Sequence, residues 1–112
     1  MISKNEANNA FADLKDALIN TYSAELTAVF GNDTQAKTNL FNIAMYRILS
    51  SMTMTTNTKL NDVMKKVMTE FKNLLDKSAK DTTGKCKDYV AGYHNSGLLQ
   101  GANLTNMWPY YT

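Results

Sequence analysis

Apolar and aromatic residues recur at Ala7, Phe11, Leu14, Leu18, Tyr22, Leu26 and Val29, with mostly polar residues between them. Steps of three and four draw one stripe down a helix of about 3.6 residues per turn. Ahead of the stripe, Ser3-Lys4-Asn5-Glu6 has capping-box spacing: the Ser3 hydroxyl accepts from the Glu6 amide, and the Glu6 carboxylate accepts from the Ser3 amide. Gly31 follows Phe30 and supplies the left-handed residue that commonly closes a helix. The pattern predicts a first helix over about residues 4 to 30, whose opposite face carries Asn9, Asp13, Asp16, Asn20 and Ser23 into water.

A second segment, about 35 to 52, is apolar at Leu40, Phe41, Ile43, Ala44, Met45, Ile48, Leu49 and Met52, which cover nearly its whole circumference. Such a helix is buried on most sides, so it is expected to lie centrally, packed between the others or against a second copy of itself. Asn32 or Asp33 is placed to cap it. The polar, β-branched run Thr53-Met54-Thr55-Thr56-Asn57-Thr58 reads as a connection. Beyond it Leu60, Val63, Met64, Val67, Met68, Phe71, Leu74, Leu75 and Ala79 give a third helix over about 58 to 80. Its lysines gather toward the C-terminal end, where they complement the helix dipole.

After Asp81 the pattern loosens. Thr82-Thr83-Gly84 marks a turn, and Cys86, Tyr89, Val90 and Tyr93 outline a short helix within 84 to 94. A further one is drawn over 97 to 106 by Leu98, Leu99, Ala102 and Leu104, weakened by Gly97 and Gly101. Met107-Trp108-Pro109-Tyr110-Tyr111 is an extended aromatic tail, because proline lacks the amide a continuing helix needs. The expected fold is all-α: a small bundle of three long helices, one or two short C-terminal helices and the tail, forming a single domain over residues 1–112.

Composition narrows the class. The chain is 44% hydrophobic and 20% charged, values typical of a folded globule rather than a disordered one. A single cysteine, Cys86, excludes an intramolecular disulfide, and the N-terminal residues do not resemble a secretory signal. No apolar run reaches the roughly 18 residues of a membrane span. These features point to a cytoplasmic protein without membrane contact, and they make the glycosylation-like triplets at Asn32 and Asn103 chance matches. The net charge of +2 is divided unevenly: residues 1 to 58 carry about −1 and the remainder about +3. Eleven lysines against one arginine, with thirteen asparagines, fit an AT-rich genome such as many bacteria and their phages have.

Catalytic chemistry finds little support. His94 and Cys86 are eight residues apart, about 80° around a helix and two turns along it, too far to act as a pair within one helix. The residue spacings of zinc sites, carboxylate-bridged metal centres and phosphate-binding loops do not occur. A non-enzymatic protein needing no cofactor and no metal is expected. Lys77, Lys80, Lys85 and Lys87 beside Tyr89 and Tyr93 offer a nucleic-acid reading, phosphate on lysine and bases on aromatic rings. Against it, the only arginine, Arg47, lies inside the most apolar helix, where it is expected to reach the surface or pair with an acid of the first helix.

What remains is binding. Trp108, Tyr110 and Tyr111 either fold back to cap their own bundle or act as anchors of the kind enriched in interface hot spots, and Met107, Arg47, Tyr89 and Tyr93 are the further candidates for contact with a partner protein. Met45, Met52, Met54, Met64 and Met68 raise the idea of an adaptable groove, with core packing as the plainer role. The expectation is a small intracellular interaction protein of the type phages and mobile elements encode to inhibit or redirect a host protein. The alternatives are a self-assembling subunit, with a homodimer covering the second helix, and a nucleic-acid binder using the Lys77 to Tyr93 segment.

Overall fold

The computed structural model of the chain describes residues 4–52 and 58–93, and among these residues there are five helices and no strand. The capping box at Ser3, most of the 53–58 connection, His94, the helix expected over 97 to 106 and the tail at 107–111 lie outside the described residues.

The first apolar stripe folds as two helices rather than one: α1 (Lys4–Thr21) and α2 (Ser23–Phe30), broken at Tyr22. The reason lies in the spacing. Leu14, Leu18, Tyr22, Leu26 and Phe30 follow one another in steps of four, and each such step overshoots a helical turn by about 40°. A straight helix would carry Leu14 and Phe30 to nearly opposite sides, yet both are buried. At Tyr22 the backbone leaves the helical region (φ −103°, ψ 25°), which lets the second segment turn its apolar side back to the core. Continuity is kept by hydrogen bonds from the Tyr22 amide to the Leu18 carbonyl (3.0 Å) and from the Leu26 amide to the Tyr22 carbonyl (2.9 Å). Phe30 rather than Val29 is the buried end of the stripe. Gly31, at φ 61°, then turns the chain in a conformation that a side chain would strain.

The second predicted helix is α3 (Thr34–Ser51), and of its two candidate caps Asp33 takes the role, its carboxylate accepting from the Ala36 amide at 3.0 Å. α3 is central, touching each of the other four helices. Leu40, Phe41, Ile43, Ala44, Met45 and Leu49 are buried and Ile48 is partly so. The apolar circumference is therefore covered within one chain, and the case for a second copy no longer follows from this helix.

The third predicted helix is α4 (Leu60–Lys80), which buries Val63, Val67, Phe71, Leu74 and Leu75, and adds Ser78 to the same face. Met68 and Ala79, expected on that face, are exposed. Phe71 is the hub, with ring centroids 6.1 Å from Tyr22 and 6.4 Å from Phe41, so that the break between α1 and α2, α3 and α4 meet on one ring. Full burial of such a side chain contributes about 1.5–3 kcal/mol. The Lys72 ammonium lies 4.9 Å above the Tyr22 ring and 3.1 Å from the Asp76 carboxylate. Its hydrogen bond to Asp76 favours the charged form and raises the Lys72 pKa.

The short helix expected within 84 to 94 is α5 (Lys85–Ala91), packed across α2, α3 and α4. Among the described residues no helix is long and apolar enough to cross a membrane.

Candidate interaction site

Between α4 and α5 the chain turns through Asp81–Gly84, and one carboxylate organises the turn. Asp81 Oδ1 accepts from the Thr83 amide (3.0 Å) and hydroxyl (2.6 Å), and Oδ2 accepts from the Cys86 amide (2.6 Å). The Thr83 hydroxyl, the Cys86 amide and the Thr83 amide all favour the ionised carboxylate and hold the Asp81 pKa below its ordinary value. Gly84 completes the turn at φ 74°, in the left-handed region. Cys86, expected as a small buried hydrophobe, is half-buried, with its sulfur 3.3 Å from the Ser78 hydroxyl.

At the other end of α5 the buried side chain of Asn39 donates from Nδ2 to the Val90 carbonyl at 3.0 Å, while Gln35 Nε2 donates to Asn39 Oδ1 at 3.0 Å. A helix end leaves carbonyls without partners inside the helix, and here the Val90 carbonyl accepts from an α3 side chain in addition to the Tyr93 amide at 3.2 Å. Asn39 was not singled out by sequence. Its only signal is position: it precedes Leu40 and Phe41 in the most apolar stretch of the chain, where a polar side chain needs a partner.

This double attachment presents the aromatic candidates. Tyr89 is 57% exposed, and its ring packs edge to face on Tyr93, with centroids 5.9 Å apart. Burial raises the Tyr93 pKa, and the charge of the ionised Tyr89 and Tyr46 phenols raises it further. Among the described residues the exposed large hydrophobic side chains are Tyr89 and Met68.

Arg47 does not join this cluster. It extends to α4, where Nη1 lies 3.0 Å from Glu70 Oε1, so its acidic partner belongs to α4 and not to the first predicted helix. Its side chain is 51% exposed, as expected of an arginine that carries its charge to the surface. Tyr89 and Tyr93 are thus brought together, Arg47 stands apart, and Met107, Trp108, Tyr110 and Tyr111 lie outside the described residues.

The lysines do not make a uniform positive face. A shallow depression of about 470 Å³ is lined by Lys77 and Lys80 together with Glu70, Asp76 and Asp81, so carboxylates stand among the ammonium groups. Nor do the methionines gather in one groove. Met45 is buried, Met52 and Met64 pack against the core, Met68 is exposed, and Met54 lies outside the described residues.

No protein-family model, no curated protein and no solved structure matches the chain.

Proposed function

We propose that the protein works by binding another protein, without catalysis, and that Tyr89 and Tyr93, together with Met107, Trp108, Tyr110 and Tyr111, make the contact. The observation that carries this reading is the exposure of Tyr89, a large amphipathic ring held edge-on by Tyr93 at a defined place in the fold. Rigid aromatic side chains give much contact area for little loss of conformational entropy, which is why tyrosine and tryptophan recur in hot spots. The small size and the AT-rich composition fit an intracellular inhibitor or adaptor of the kind phages and mobile elements encode.

Identification of the protein that co-purifies with the tagged chain from its native host, followed by titration with Tyr89→Ala and with a chain lacking residues 107–112, tests the proposal. A hot-spot tyrosine loses about 30-fold or more in affinity on truncation, while its exposure predicts a stability change within about 0.5 kcal/mol. Unchanged affinity in both variants refutes the assignment of the surface. Self-assembly is the competing reading, and light scattering on the purified chain decides it, since a stable monomer excludes it. The nucleic-acid reading requires anisotropy changes with a labelled oligonucleotide at low salt that disappear as salt is raised.

A further inference from the structure

A helix of seven residues does not hold by itself, because the ordering of its first turn is offset only over a dozen or more residues. α5 is therefore kept in place by its attachments, and these are concentrated at its two ends. At the start are the Asp81 carboxylate on the Cys86 amide and the Ser78 hydroxyl against the Cys86 sulfur. At the finish is the Asn39 amide on the Val90 carbonyl. Val90 itself is the one residue of α5 that is buried, whereas α4 buries six.

We infer that α5 is a latch, opening as one unit about the Asp81–Gly84 turn while α1 to α4 stay folded, and uncovering Asn39 and the place where α2, α3 and α4 meet. Opening gives up one buried valine, the half-buried Cys86 and Tyr93 and a few hydrogen bonds, whereas displacing α4 unseats six buried residues and removes Phe71 from the rings of Tyr22 and Phe41. The polar attachments suit reversible release. Once α5 leaves, the Asn39 amide and the Val90 carbonyl both reach water, so no buried group is left without a partner. Segments with few buried apolar contacts are the ones that open below the global unfolding free energy.

Hydrogen exchange on the full chain tests this. The amides of Asp88 and Gly92, bonded to the Gly84 and Asp88 carbonyls at 2.9 and 2.8 Å, report on α5, and those of Val67 and Phe71 report on α4. After correction for intrinsic rates, the α5 amides are expected to exchange roughly a hundredfold faster than the α4 amides and with a weaker dependence on low urea. Among the described residues α1 makes no contact with α5. Phe11→Leu should therefore accelerate the α4 amides about tenfold and leave the α5 amides unchanged. Asn39→Ala should accelerate the α5 amides about tenfold.

Equal rates and urea slopes for the two helices in the unmodified chain, or equal acceleration of both by Phe11→Leu, overturn the latch. So does the absence of any protection in α5, which would mean that no closed state exists to open. An Asn39→Ala chain with unchanged α5 exchange removes Asn39 as the clasp and overturns the mechanism as stated.

Discussion

α4 and α5 follow one another across four residues and are held by opposite means. α4 presents a continuous apolar face, Val63, Val67, Phe71, Leu74 and Leu75, and its place follows from non-directional burial at many points. α5 contributes one buried valine, and its place follows from directional contacts at its ends, the Asp81 carboxylate and the Asn39 amide. The difference is one of kind as well as size. Burial spread along a helix fails only with the whole domain, whereas a few hydrogen bonds at two points fail together and locally. Tyr89, the exposed aromatic candidate, stands on the helix held in the second way.

The sharpest way to break the α4 side of the contrast is Phe71→Ala. Removal of a fully buried ring that meets both Tyr22 and Phe41 should cost about 3–5 kcal/mol, read as a lower midpoint in urea denaturation. A loss below about 1 kcal/mol would contradict its place as the hub. Next comes Asn39→Ala, which removes the donor to Val90 and should lower unfolding stability by about 1–2 kcal/mol. A change smaller than the measurement error would mean that the Tyr93 amide, 3.2 Å from the Val90 carbonyl, satisfies it without Asn39.

Smaller still is the Arg47–Glu70 pair, half in water on the arginine side. A double-mutant cycle should return a coupling of about 1 kcal/mol or less that shrinks with added salt. A coupling that is large and insensitive to salt would place the pair in a drier setting than its exposure shows. The mildest probe is acid. The Asp81 pKa is lowered in the folded chain, so the stabilisation from its charged form is complete above the ordinary aspartate range and is lost as pH falls through the lower folded value. Amide chemical shifts of Thr83 and Cys86 should titrate together in that acidic window, and Asp81→Asn should abolish the shared step.

Elements with sustained periodicity were legible in the sequence. α3 was expected over 35 to 52 and spans Thr34–Ser51, and α4 was expected over 58 to 80 and spans Leu60–Lys80. The break at Tyr22 was hidden because steps of three and of four both count as helical. Only the accumulated drift of an unbroken run of fours, from Leu14 to Phe30, demands a correction in the backbone. Tyr89 and Tyr93 were both legible as contact candidates, and the four-residue spacing between them is compatible with the ring contact that the fold shows. The Asn39 clasp was not, since it joins residues 51 positions apart and local patterns carry no information about such contacts. The partner of Arg47 was misassigned for the same reason: which helix stands beside α3 is decided by packing, and Glu70 and the acids of α1 look alike in one dimension.

Gly84 turns the chain into α5 at φ 74° and ψ 0°, and a Cβ built there meets nothing within 4 Å. Space is free, so what bars ordinary side chains is chirality alone. An L-alanine at this position strains the closed turn, whereas D-alanine, its mirror image, favours this φ and ψ and narrows the choices of the unfolded chain. The sense of a single stereocentre would then bear on how tightly α5 is held, with composition and charge unchanged.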